Sequence, residues 1–488
     1  MNKIRVSAKN IRHISIISVF LFVFSVTASQ CFAKSSTDSA DPDKAKQNQY
    51  IEIINSLYYY IQQNYVDEVD PEVLYEGAVK GMLDSLGDPY SYYMDQSDWR
   101  SLTDTTVGEF GGVGLSISKA KESTPEKPAY VEVVSPIDDS PGARAGIISG
   151  DLIIAVNGID TSTISMDDVL GMLRGTVGES VEVTVRRGKN MEFTATLVRA
   201  MIENPTVKYG MIDKTGYIRI TEFSTNTASR VQEAIDSFKA EKYSGIIIDL
   251  RNNGGGLLTS AIDIADKFVS EGAIVSTKSR IFYENHSYFA SEKKTTVPLS
   301  IPVIVLVNGG SASASEILSG CLKDNHRAYL VGTRTYGKGS VQVPTQLIND
   351  DGFKITVARY YTPSDVNIDK IGIAPDKEVD YPDFSDEEAS AYTALVESEV
   401  IPSYVESHPD MDEGAIADYA EELYKDYKLE LRVLRKMIRN ECDRHKPSRL
   451  YDLDYDLQLT AALDLIRTEN FKTLMASSKT LKEMEENQ

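Results

Sequence analysis

Cysteine is scarce in this chain. Its 488 residues hold three, Cys31, Cys321 and Cys442, too few for a disulfide framework. Histidine is thin as well. His286, His326, His408 and His445 are scattered with no spacing that gathers metal ligands, so neither a metal nor another cofactor is expected. Basic charge is outnumbered, 51 Lys and Arg against 73 Asp and Glu, for a formal charge of −22. Such a balance excludes nucleic acid and an anionic membrane surface as natural partners and favours a soluble protein. Long hydrophobic runs are missing too. The apolar run Ile14–Val26 is short for a spanning helix. What is present is 42% hydrophobic residues, enough for several packed cores and three or four domains.

One stretch, Ile301–Gln342, organises the rest. Pro302–Val307 is a short apolar, β-branched run, as a strand buried on both faces should be. Gly309 and Gly310 break it, and the small residues Ser311–Ser315 open a helix with apolar positions at Ile317, Leu318 and Leu322. Ala328–Val331 reads as the next parallel strand, and Lys338 follows in the turn Gly337-Lys338-Gly339. The helix carries the chain away by roughly 18 Å at ~1.5 Å per residue. The strand brings it back by roughly 16 Å at ~3.3 Å per residue. Lys338 therefore returns to the sheet edge where the serines sit, beyond the carboxyl ends of parallel strands, where such folds place their sites. A serine hydroxyl needs a base, and a lysine serves if desolvation populates its neutral amine. His326 follows at the far end of the same helix, roughly 20 Å off at ~1.5 Å per residue, and is out of reach. The pattern alone does not choose among Ser311, Ser313 and Ser315.

GSASASE (Gly310–Glu316) followed by TYGKGSVQ (Thr335–Gln342) resembles the carboxyl-terminal processing (tail-specific) proteases, serine peptidases with a PDZ domain. The resemblance covers about 49–381. It implies that Ser313 is the nucleophile, Lys338 the general base and Gln342 the residue that positions the lysine amine. It implies protein or peptide substrates with a free carboxyl terminus. The fold class expected is multidomain α+β, an α/β (ClpP/crotonase-like) protease core with an inserted PDZ domain and helical N- and C-terminal regions.

Taken in order, residues 1–33 have a basic start (Lys3, Arg5, Lys9, Arg12), the apolar run, and small residues ending at Ala33. That reads as a secretory signal, with an uncleaved anchor as the alternative, and predicts export to the periplasm or cell-envelope exterior of a bacterium. Residues 34–48 read as a polar linker. In 49–106, Tyr50–Tyr65 and Pro71–Leu86 are predicted helices. The family resemblance there (NYVDEVD, GMLDSLGDPYSYY) implies an arm that packs on the core or pairs subunits as a dimer.

Residues 107–198 read as a small β-rich module resembling a PDZ domain. Gly112, Val113, Gly114 and Leu115 would form its carboxylate-binding loop, whose backbone N–H groups face an anionic chain end. A peptide would add as a strand beside Gly114–Ser118, against the helix bearing Val169, Leu170 and Leu173. Arg174, ending that helix, is a candidate for coupling groove occupancy to catalysis. Residues 199–381 are the protease core, where IIIDLRNNGGG (Ile246–Gly256) ends a buried strand in a glycine cluster. Gly255, Gly256 and the N–H of Ala314 are the candidate oxyanion donors. Asp365 stands where the family usually has glycine. Residues 382–488 are acidic and helical, carry no catalytic constellation, and read as a family-specific cap, a packing arm or an oligomerisation surface. Two classes of function remain: an exported serine endopeptidase that cuts near carboxyl termini, or a catalytically inactive PDZ scaffold. An α/β core with a backbone oxyanion hole also resembles crotonase-type acyl-CoA enzymes, but the PDZ module and export signal argue against that.

Overall fold

A computed structural model describes residues 42–486 apart from 121–123, 125–127, 138–139, 189–190, 204, 382–383 and 445–448. The expected signal and most of the linker lie outside the described residues. The chain divides into two units, Met1–Gly81 and Met82–Gln488. In the first, helix α1 (Pro42–Asn64) starts before the expected linker ends, with proline at its first position, where the absent N–H costs nothing. Its apolar residues Ile51, Ile54 and Leu57 are exposed. Helix α2 (Pro71–Asp84) begins on proline too.

Past Gly87 the chain forms a turn and then β1 (Tyr92–Met94). The PDZ module follows: β2 (Glu109–Gly112), β3 (Leu115–Lys119), β4 (Val131–Pro136), β5 (Leu152–Val156), helix α3 (Met166–Leu173), β6 (Ser180–Arg187), β7 (Met191–Val198) and β8 (Ala200–Glu203). Its main sheet runs β3-β4-β5-β6-β7, and β2 pairs with β8 to close the module's entry and exit. Ser165 caps α3 reciprocally with Asp168, a pairing that satisfies the first-turn donors and fixes where the helix begins.

The core has two sheets. One runs β9 (Val207–Ile212), β10 (Thr215–Ile220), β11 (Gly245–Asp249), β14 (Val303–Val307), β15 (Tyr329–Gly332) and β18 (Lys377–Glu378), with every pair after the first parallel. The other contains β1, β17 (Gly352–Tyr361), β12 (Ala273–Lys278) and β13 (Ser287–Phe289), with β16 (Ser340–Gln346) also on β17. Alternation along the parallel strands sorts side chains between two faces. Ile246, Ile248, Val303 and Val305 pack toward helices α4 (Thr227–Ala240), α5 (Leu258–Ala265) and α6 (Ala314–Asp324). Ile247, Ile304, Leu306 and Val331 point the other way.

That second face is covered from the carboxyl-terminal region. Helices α7 (Asp386–Glu397), α8 (Val400–Ser407), α9 (Glu413–Tyr427) and α10 (Leu431–Cys442) share a core of their own. Helix α11 (Leu457–Thr468) instead lays Leu459, Ala462 and Leu463 on the sheet. Farther on, Leu481 enters the core beside α6. Helices α7–α10 thus pack among themselves, while α11 and Leu481 lie on the protease core as a packing arm and add a second layer to it. Cys321 and Cys442 are both free thiols, Cys321 fully buried.

Candidate active site

Strand β14 delivers the chain to Asn308, and a tight turn leads into α6. Ser313 stands at the N-cap of that helix with φ 55° and ψ −114°, a left-handed conformation that costs a serine of order 1–3 kcal/mol. The flanking serines differ in kind. Ser311 Oγ donates to Leu250 O at 2.8 Å and Ser315 Oγ to Asn253 O at 2.8 Å, both fully buried. Ser313 is half-exposed and its hydroxyl donates to no protein group among the described residues. Partners, rather than the repeat itself, separate the three.

Lys338 arrives as the sequence predicts. Its turn is seated on the segment Asp369–Gly372. A Cβ on Gly337 would meet Gly372 N at 2.8 Å, and one on Gly339 would meet Asp369 N at 2.6 Å, which is why glycine flanks the lysine on both sides. Ser313 N and Lys338 N each donate to the same oxygen, Glu316 Oε2, at 2.9 Å. The two backbones cannot then lie farther apart than twice that distance, well within a four-carbon side chain's reach. Gly337 N (2.7 Å) and Thr335 Oγ1 (2.6 Å) donate to Glu316 Oε1. Tyr360 adds a second staple, its hydroxyl donating to Lys338 O and, at 3.4 Å, to Ser313 O. Neither Glu316 nor Tyr360 stood out in the sequence. The signal available for Glu316 was a charged residue three positions into a helix that is otherwise buried.

Burial depresses the Lys338 pKa below the ordinary lysine value. The like charge of Lys354 works the same way, against Glu316 and Asp88. The Lys338 ammonium makes no hydrogen bond to Ser313 Oγ among the described residues; it lies 5.1 Å from the centre of the Tyr90 ring. Gln342 does not hold the lysine either. Its Nε2 donates to Ser340 Oγ (2.8 Å) and Thr356 Oγ1 (3.1 Å), because a bulge between Val341 and Gln342 sets it opposite Thr356 on β17.

The glycine loop passes directly beneath Ser313. A Cβ on Gly255, at φ 109°, would meet Ser313 Cβ at 2.8 Å and Ala314 N at 3.0 Å. Gly255 N, however, donates to Asn253 Oδ1 at 2.9 Å, so it drops out of the expected oxyanion donors in this conformation. Ala314 N opens α6 as its first residue, where no intrahelical acceptor exists, and Gly256 pairs with Phe223 across the loop. A cleft of about 780 Å³ opens beside these loops, bordered by Asn252 and Asn308 from the core and by Val134 and Ser135 from the PDZ module.

In that module β3 is an edge strand. Val113, Val169 and Leu173 are buried in one cluster with Leu115 against them. Val113 O and Gly114 O accept from Gly142 N (2.8 Å) and Ile137 N (2.9 Å), and Gly112 sits in β2 opposite Ala200. The Arg174 guanidinium lies 4.7 Å from the Phe110 ring centre, inside the PDZ module. No cluster of three or more His, Cys, Asp or Glu able to hold a metal occurs among the described residues.

A strained serine at a helix head, on a parallel sheet joined to a PDZ module, defines a serine hydrolase of the PDZ-bearing peptidase class. The profile of Peptidase family S41 matches residues 214–379, that of a PDZ domain 132–187, and that of the "activating protease CtpB N-terminal domain" 14–98. The carboxy-terminal-processing protease of Bartonella bacilliformis is 36% identical over 377 residues, covering 76% of this chain and 84% of that protein. Carboxy-terminal processing protease CtpA of Bacillus subtilis is 34% identical, covering 68% and 69%. Among solved structures, a photosystem II D1 C-terminal processing protease aligns with 29% identity and a TM-score of 0.40, over 67% of this chain and 92% of that one. This chain belongs to the carboxyl-terminal processing proteases of peptidase family S41. It is a serine protease acting on protein substrates, and the scaffold without catalysis is set aside.

Proposed function

We propose that the protein cleaves substrates near their carboxyl termini with a Ser313–Lys338 dyad, after the PDZ module has captured the substrate's free tail. Ser313 Oγ attacks the scissile carbonyl while neutral Lys338 takes its proton. The lysine then protonates the leaving amine. Ala314 N–H, with Gly256 N–H beside it, stabilises the oxyanion, and Gln342 swings to the lysine only when substrate closes the site. The observation that carries this reading is the single Glu316 oxygen shared by the Ser313 and Lys338 backbones. The tail would add to the free edge of β3, over the apolar floor of Val113, Leu115, Val169 and Leu173.

The test compares wild type with Ser313→Ala and Lys338→Ala on an unfolded reporter bearing or lacking an apolar tail. Both variants should lose at least ~10³-fold in kcat, and the tailless reporter should be cut more slowly. Activity retained by either variant overturns the dyad; equal cutting of both reporters removes tail recognition.

The same reading makes the protein an exported one. Residues 1–33 act as the leader or its uncleaved anchor, and the exposed side of α1 pairs two chains. Among the described residues no helix is long and apolar enough to cross a membrane. Enzyme recovered from the cell envelope should sediment as a dimer, and Leu57→Glu should make it monomeric. Cytoplasmic recovery, or a wild-type monomer, contradicts the corresponding half of this reading.

A further inference from the structure

The turn Asp88–Ser91 is placed at the catalytic lysine by bonds that catalysis as described does not use. The Asp88 carboxylate accepts from Ser91 Oγ (2.6 Å), Thr356 Oγ1 (2.6 Å) and Tyr90 N (3.0 Å). Thr356 N donates to Ser91 Oγ at 2.9 Å, and β1 continues the pairing along β17 with Tyr92 opposite Lys354. The turn is thus fixed to the strand neighbouring the lysine turn. Burial alone would raise the Asp88 carboxyl, but its three donors hold it below the usual range, so the clamp is an anion. What the clamp presents is one half-buried side chain, Tyr90, with the Lys338 ammonium 5.1 Å from its ring centre. The hydrogen bond to Tyr336 pushes the Tyr90 hydroxyl up to about 12. The ring therefore stays a neutral phenol with an electron-rich face, the form that attracts a cation.

We propose that Tyr90 is a positioning residue for the lysine of the dyad: its ring face holds Lys338 Nζ as the ammonium between turnovers and so sets the pH at which the amine becomes available to Ser313. The inference rests on the Ser–Lys reading above and adds to it a second resting place for the amine. Other groups facing Lys338 act in both directions. Glu316 from α6 and Asp88 from the turn favour the charged form, Lys354 from β17 opposes it, and Asp369 faces Tyr90 itself. Among the described residues, Tyr90 is the one aromatic ring that faces the Lys338 ammonium. Taking the ring away removes a stabiliser of the protonated state. The neutral amine should then appear at lower pH.

The experiment is the pH dependence of kcat/KM for the full-length enzyme, wild type against Tyr90→Leu and Tyr90→Phe, with thermal melts confirming folding. Reaction of Ser313 with a fluorophosphonate probe across the same pH range reads the amine without any peptide. In Tyr90→Leu the acidic limb should move down by about 0.5–1 pH unit in both assays. Tyr90→Phe, which keeps the face and loses only the bond to Tyr336, should keep the wild-type midpoint whatever its rate. If Tyr90→Leu does not fold, Tyr90→Met removes the aromatic face with less loss of volume and carries the same expectation. An unmoved or raised limb in a folded Leu or Met variant overturns the proposal. Lys338→Ala separates the two ideas: if it is inactive at every pH while the Tyr90 series stays flat, the dyad stands and the role of Tyr90 falls.

Discussion

Glu316 does at the scale of one residue what the fold does around it, joining two loops that arrive from different directions. Its side chain is buried and all four of its partners donate: Ser313 N, Gly337 N, Lys338 N and Thr335 Oγ1. Burial, which outweighs the pull of those donors, raises its pKa above the ordinary glutamate value. Three of the four are backbone N–H groups that can only donate, which favours the carboxylate at this site. Glu316→Gln keeps the shape but turns an NH₂ toward groups that themselves donate. Hydrogen bonds to a charged group contribute about 1.5–3 kcal/mol each, and two of these would be lost. We therefore expect a loss of roughly 3 kcal/mol or more in urea unfolding. Cleavage should fall by at least ~10²-fold, because Ser313 and Lys338 then lose their common anchor. Wild-type cleavage by Glu316→Gln would show that the shared oxygen matters only to packing.

At the scale of elements, local periodicity and turn residues carried most of the reading. The strands Gly245–Asp249, Val303–Val307 and Tyr329–Gly332 and helices α3 and α6 fall within a few residues of where the apolar patterns place them. The return of Lys338 to the serine edge was legible too, because a helix and a strand of known rise must bring the chain back. Long-range pairing was not legible. Nothing in TYGKGSVQ says that a bulge sets Gln342 against Thr356. Nothing in RNNGGG says that Asn253 Oδ1 will take the Gly255 amide. Asp365 is instructive in the opposite sense. Its φ of 66° lies in the left-handed region that glycine adopts freely and aspartate tolerates better than most residues, which accounts both for the family's usual glycine and for the substitute here.

For the whole molecule, the carboxyl-terminal hundred residues decide whether the core is complete. Arg251 begins the glycine loop under Ser313, and its guanidinium is held on both sides. Asp249 accepts from Nε and Nη2 at 2.9 and 2.6 Å, and Asp456, at the head of α11, accepts from Nη1 and Nη2 at 2.7 and 2.6 Å. Tyr217 donates to Asp249 and Tyr381 to Asp456. A helix distant in sequence thus shields the back of the sheet and grips the loop that lies against Ser313. Removing one partner from a buried ion network costs about 3–5 kcal/mol, and Asp456→Ala should approach that range in denaturant unfolding. The pair Arg467–Asp213 links the same helix to the same sheet, but its side chains are 46% and 74% exposed, so Arg467→Ala should cost under ~1 kcal/mol. Equal effects from the two variants would mean that α11 is held by its apolar face alone. A large loss confined to Asp456→Ala, with kcat falling while KM holds, would make the carboxyl-terminal region part of what positions the active site.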